Sequence, residues 1–179
     1  MTVLVRPEDP ADAPAVQQVI AAAFPTVDGT ADGTVVEVGL NDELRRDPTR
    51  IPGLCLVAVR DGRVIGQVTC SYGTLTDPAG GRRRLVGVGP VAVRPDEQGI
   101  GVGRALLSTL IARAREAGEA ALVLLGDPAF YGRFGFRPAA DVGITAPDPA
   151  WGEHFQALVL TAGSPPAGRF AYAPPFDRL

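Results

Sequence analysis

The chain has 179 residues, 46% hydrophobic and 21% charged, with 17 basic and 20 acidic side chains for a formal charge of −3. That size suits a single domain over residues 1–179, able to bury roughly 70% of the surface its unfolded form exposes without disulfides or metal. Charges of both signs are spread along the chain, which argues against nucleic acid as a partner, and no run approaches the ~20 apolar residues that cross a bilayer.

The opening "MTVLVRPEDP" carries acid and proline where a signal peptide has a basic start and an apolar stretch, so a cytoplasmic location is expected. "TVLVR" reads as a strand. "PEDPADAPAVQQVIAAAF" then offers capping acids and prolines before Val16, Val19, Ile20 and Ala23 at helical spacing. "TADGTVVEVGLNDELRRDP" predicts a second helix, with Val36, Leu40 and Leu44 on one face and Pro48 as its stop. From Gly53 the period changes: "LCLVAVRDGRVIGQVTCSYG" is a pair of β-rich runs around Asp61-Gly62, a dipeptide that supplies positive φ in a tight hairpin. Cys55 and Cys70 lie within them, as reduced core thiols would. After "TDPAGGRRR", whose arginines read as a solvated hairpin shoulder, "RLVGVGPVAV" completes an antiparallel meander. Pro90 has no N–H to give to a ladder, so a bulge or break is expected there.

"VAVRPDEQGIGVGRALL" follows, with glycines at 99, 101 and 103 between an extended run and a helical one. A helix N-terminus exposes unpaired N–H groups and a partial positive charge. Glycines there bring those groups against an anion with no side chain in the way, and a pyrophosphate suits such a cradle. A tight strand-to-helix turn would use one or two of them for steric reasons alone. The Gly-Lys-Ser/Thr ending of a P-loop is absent, and so is the Rossmann setting, because this corner follows a meander in mid-chain. The helix "GRALLSTLIARAREAG" presents Leu106, Leu110, Ile111 and Ala114 on one side and closes at Gly118. "AALVLL" reads as a buried strand reached by a parallel crossover. "GDPAFYGRFGFRPA" is a short helix or turn before another strand at Phe136, and "FQALVL" and "RFAY" are later strands.

"QGIGVG" after "VAVRPDE" resembles the Q/R-x-x-G-x-G/A signature of the GNAT superfamily of N-acetyltransferases. "LVGVGPVAVRPDEQG" resembles its bulged fourth strand, and "LLGDPAFYGRFGF" is similar to the end of its fifth strand and the next helix as written in the YhbS-like branch. The resemblance implies an α/β fold whose mostly antiparallel sheet is splayed between strands four and five, with helices on both faces. It implies acetyl-coenzyme A as cosubstrate and an amine as acceptor. The backbone from Gln98 through Gly99, Ile100, Gly101, Val102 and Gly103 to Arg104 would hold the pyrophosphate, and strand-four backbone at Val91 and Val93 would pair with pantetheine. Val91 N–H is the candidate oxyanion donor, and Tyr131 the acid for the departing thiolate, since a phenol stays protonated at neutral pH. Arg104 and Arg133 are candidates for the 3′-phosphate.

Asp127 stands where many members carry asparagine or serine. It would bond pantetheine or the amine, orient Tyr131, act through water as base, or simply cap the next helix. The base is left open among Glu37, Glu43, His154 and water. One histidine and a pair of strand cysteines make zinc improbable, and no metal is expected. A homodimer is left open, as is the acceptor. The competing classes are a silent acyl-coenzyme A sensor without need of Tyr131 and, more remotely, a nicotinamide-dependent oxidoreductase.

Overall fold

The computed structural model describes residues 2–25, 35–163 and 166–178. Its elements in chain order are β1 (Leu4–Pro7), α1 (Ala13–Ala23), α2 (Val36–Arg46), β2 (Leu56–Arg60), β3 (Arg63–Thr76) and β4 (Arg82–Val93), then α3 (Val102–Glu116), β5 (Ala121–Leu125), α4 (Pro128–Tyr131), β6 (Arg137–Pro138), β7 (Ile144–Thr145), β8 (Phe155–Val159) and β9 (Gly168–Ala171). Residues 30–34 of the expected second helix lie outside the described residues, and the strand expected at Phe136 is the two-residue β6.

The strands join in the order β1-β2-β3-β4-β5-β8-β6, with β9 alongside β3 and β7. Asp61 and Gly62 both take positive φ, 50° and 77°, as a two-residue hairpin between β2 and β3 requires. Along β2 alternate side chains go to opposite layers: Leu56 and Ala58 join the cluster under α3, Val57 and Val59 the one under α1. Helices therefore cover both faces, which is why "LCLVAV" reads as an unbroken apolar run. The apolar face of α3 falls where its spacing predicts, with Leu106, Leu110, Ile111 and Ala114 all buried. Both thiols are free and buried, and burial holds each above its usual pKa.

Two features of β4 position the site. Opposite β3, Val68 pairs with Val91 but Cys70 pairs with Val88, so Thr69 faces both Gly89 and Pro90 across a bulge. The strand continues through Pro90 to Val93; the proline's missing donor is absorbed by the extra residue, and β4 bends without breaking. On its other side β4 runs parallel to β5 for only two register positions, Val86↔Leu122 and Gly87↔Val123, and then leaves it.

A buried polar chain lies under the bulge. Gln67 Nε2 donates to the Pro90 carbonyl at 3.0 Å, and Thr69 Oγ1 lies 3.0 Å from Gln67 Oε1 and 2.6 Å from the Asn41 amide on α2. One hydroxyl hydrogen cannot serve both neighbours. Turning the Asn41 amide so that its nitrogen donates to Thr69 frees the hydroxyl for Gln67, and also employs an Nδ2 that otherwise has no partner among the described residues. Thr69→Val keeps the shape and deletes the middle link, leaving two buried amides short of a partner. Urea unfolding should show a loss of about 1–3 kcal/mol, the cost of orphaned buried polar groups, and an unchanged stability would show the chain to be incidental.

Candidate active site

After Val93 the chain makes a turn at Pro95–Glu97, held to β2 by a 2.5 Å contact between Arg60 Nη2 and the buried Glu97 carboxylate. Gln98 Nε2 reaches back to the Val93 carbonyl at 3.1 Å. Gly99 and Gly101 then take φ of +79° and +92°, and a Cβ on either would meet nothing within 4 Å. Backbone conformation, and not crowding by neighbouring protein, demands glycine at these positions. Gly103 differs: its φ is helical, and its missing Cβ leaves room for Phe130, whose ring edge would stand 3.3 Å away. Gly101 caps α3 without any side-chain acceptor, so the first amides of α3 are not claimed by a cap.

This corner lines a cavity of about 550 Å³ with Val91, Val93, Phe130 and Tyr131. Of the residues read from sequence, Gln98, Gly99, Gly101, Val102, Gly103, Arg104 and Arg133 all line it. Val102 contributes backbone, its side chain being core. Ile100 is not among the lining residues, and its side chain is 56% exposed.

A ladder bond fixes which backbone groups of β4 face the gap. Arg94 N–H donates to the Ile65 carbonyl of β3 at 2.9 Å, so by the two-residue alternation Ala92 also faces β3, whereas Val93 and Val91 turn their amides the other way. On that side β5 offers them no register partner.

Tyr131 stands at the end of short α4, whose first turn is capped by Asp127: the carboxylate accepts the Ala129 N–H at 2.9 Å. Its ring lies against the backbone of Gly126, where a Cβ would come within 2.3 Å of Cε2. Gly126 is itself pinned, its N–H donating to the His154 carbonyl at 2.9 Å and its carbonyl accepting from Gln156 Nε2 at 3.0 Å. Burial pushes the Tyr131 hydroxyl up from the usual 10 to about 12. It is therefore a neutral donor throughout the neutral range.

A second cavity, of about 570 Å³, opens beyond Tyr131. It is bounded by Pro90 and the end of β5, by Glu37 and Leu40 of α2, and by Phe24, Trp151, Tyr172 and Phe176. Val91 and Tyr131 line both cavities. Asp127 borders the second and not the first. Leu125, expected within a buried strand, is 45% exposed at this mouth. Of Glu37, Glu43 and His154 only Glu37 borders the cavity beside Asp127; Glu43 is paired with Arg178, and His154 is exposed. Sequence reasoning missed Trp151, Tyr172 and Phe176. For Tyr172 and Phe176 the one signal was the aromatic residues crowded among prolines in "RFAYAPPF", because a solvated tail has no use for three rings; Trp151 lies outside that stretch.

A family model described as an acetyltransferase (GNAT) domain matches residues 5–139. The chain belongs to the GNAT acetyltransferases. It is 38% identical over 138 residues to the N-acetyltransferase YhbS of Escherichia coli K12, across 76% of this chain and 75% of that protein. To YjhQ, another N-acetyltransferase of that strain, it is 32% identical over 147 residues, across 82% and 76% respectively. The crystal structure of E. coli YhbS in complex with CoA matches with a TM-score of 0.83 at 34% identity, over 98% of this chain and 92% of that one. A GNAT acetyltransferase from Brucella melitensis in complex with acetyl-CoA matches at 0.77 and 33%, over 98% and 99%. This GNAT chain is accordingly an acetyl-CoA-dependent acyltransferase with the mixed α/β fold of its family. The aromatic wall of its second cavity, Trp151, Tyr172 and Phe176, lies beyond the segment the family model matches.

Gly126→Ala should drive the Tyr131 ring out of its niche into solvent. Ultraviolet titration should then show one phenol moving from about 12 back toward the ordinary 10, while an unmoved titration would place the ring elsewhere. The same shift has a sign for stability. Because the folded value lies above the unfolded one, its contribution is whole below pH 10 and lost as pH climbs through about 12, a slope that Tyr131→Phe should reduce, leaving the share of Tyr172 and Tyr72, whose hydroxyls burial also raises.

Proposed function

We propose that the chain, working as one cytoplasmic domain, binds acetyl-CoA along the first cavity and passes the acetyl group directly to a primary amine seated in the second. The cosubstrate supplies an activated thioester; the rest is done by residues of this chain. Backbone amides from Gly99 to Arg104 receive the pyrophosphate at the α3 N-terminus, with Gln98 holding the corner to β4 by its side chain and Arg104 and Arg133 at the rim for the 3′-phosphate. Val93 and Val91 backbone groups take the pantetheine arm. No metal is needed for this chemistry.

The observation that carries the proposal is that Val91 and Tyr131 stand where the two cavities meet, with the Val91 amide turned into the gap. Amine nitrogen attacks the carbonyl carbon, a C–N bond forms, and the Val91 N–H meets the negative charge that develops on oxygen. The C–S bond then breaks, and Tyr131 donates to the departing sulfur. With its pKa near 12 the phenol acts foremost as a hydrogen-bond donor, and its proton passes fully only to a thiolate whose basicity the same desolvation has raised. An ammonium entering the site gives up two protons in all, one restoring the thiol and one reaching solvent. Asp127 borders the acceptor side while capping α4, which suits it to hold the turn bearing Tyr131 and to receive an amine proton through water.

Tyr131→Phe should lower kcat by roughly 10²–10⁴-fold while acetyl-CoA affinity by calorimetry stays within a few-fold. An unaltered kcat would remove Tyr131 from the chemistry. Gly101→Val forces a β-branched residue to positive φ and should weaken acetyl-CoA binding roughly 5–150-fold, the effect of about 1–3 kcal/mol of local strain. Unchanged binding would move the pyrophosphate away from this corner.

A further inference from the structure

The composition of the second cavity narrows the acceptor, an inference that rests on the transfer reading above. Its walls are rings and aliphatic surface: Trp151, Tyr172 and Phe176 from the last quarter of the chain, Phe24 and Leu40 from the α1 and α2 side. Tyr172 and Phe176 stack with ring centres 4.5 Å apart, and Trp151 lies 6.2 Å from Tyr172. Among the described residues the charged groups bordering the cavity are Glu37 and Asp127, and no arginine or histidine lines it.

Glu37 is placed differently from the other carboxylates of α2. Asp42 is engaged by Gln17 and Arg45, and Glu43 by Arg178, whereas Glu37 makes no ion pair or hydrogen bond among the described residues. It also sits in the first turn of α2, where the helix end favours a negative charge. An ammonium group brought toward Val91 finds opposite charge here, and its carrier finds ring faces suited to stacking and to cations. An acceptor bearing its own carboxylate or phosphate meets two acids and no cation. About 570 Å³ is room for a compact small molecule.

We propose that the acceptor is a primary ammonium carried on a flat apolar ring system and lacking any anionic group. In the transfer, Glu37 faces the ammonium and the aromatic wall holds the ring, leaving the nitrogen toward the Val91–Tyr131 junction.

The test is thiol release from acetyl-CoA over a matched panel: 2-phenylethylamine and tryptamine, L-phenylalanine as the first of these with a carboxylate added, spermidine, and a short neutral peptide with a free N-terminus. All 17 basic residues of the chain are arginine, so thiol release cannot come from acetylation of its own lysines. Expected is a kcat/KM for the ring amines roughly 100-fold above that for L-phenylalanine, the size of a like-charge juxtaposition, and above those for spermidine and the peptide. Glu37→Gln should raise KM for 2-phenylethylamine about tenfold and leave KM for acetyl-CoA unchanged. Glu37→Arg should narrow the gap between 2-phenylethylamine and L-phenylalanine, and circular dichroism of both variants checks that they fold. Equal or better use of L-phenylalanine, spermidine or the peptide overturns the acceptor assignment and leaves the transferase standing. So does acetyl-CoA binding with turnover on none of the panel. Absence of both binding and turnover sinks the transfer reading itself.

Discussion

The cleft depends on one departure from regular sheet geometry. β4 and β5 keep register at only two positions, and the extra residue at Gly89–Pro90 bends β4 away just beyond them. Were the pairing to continue, the amides of Val91 and Val93 would be spent on β5 and the gap between the strands would close. A proline in mid-strand is ordinarily a defect. Here the bulge removes the need for its N–H, and Gln67 uses the carbonyl that remains. The same stretch of backbone therefore opens the sheet and leaves donors along the opening.

Electrostatics divide the cleft into two ends. At the glycine corner the amides of α3, with Arg104 and Arg133 at the rim, are positive in character. Glu97 is close by, but its carboxylate is engaged by Arg60 and so does not cancel that field. Beyond Tyr131 the charges that border the cavity among the described residues are carboxylates set in aromatic surface. A polyanionic cosubstrate and a cationic acceptor would thus be drawn to opposite ends and meet at Val91. Tyr131 belongs to both ends, and its desolvation keeps it a donor.

Much of this was legible in the sequence because it rests on local rules. The Asp61-Gly62 hairpin, the apolar stripe of α3 and the glycine corner follow from backbone preferences that need no tertiary context. The corner's residues gather round one cavity, Ile100 excepted. What stayed hidden is non-local. Tyr172 reaches the cleft because β9 pairs with β3, a contact across about a hundred residues that no periodicity announces. The Asn41–Thr69–Gln67 chain joins α2 to β3 by side chains that look like ordinary polar residues in sequence. Pro90 suggested a break because a lone strand cannot show which partner residue will absorb a bulge. Glu37 and Glu43 were equivalent on a helix face until Arg178 was seen to take one of them.

The central claim is that backbone amides of the Gly99–Arg104 corner and of Val91 and Val93 are where acetyl-CoA binds. Amide chemical shifts followed by NMR during a titration with acetyl-CoA measure it residue by residue. The account predicts that these amides move together and saturate at a single affinity, with those of the β8–β9 region unmoved. Saturating cosubstrate that leaves the corner and the Val91 amide where they were would contradict it.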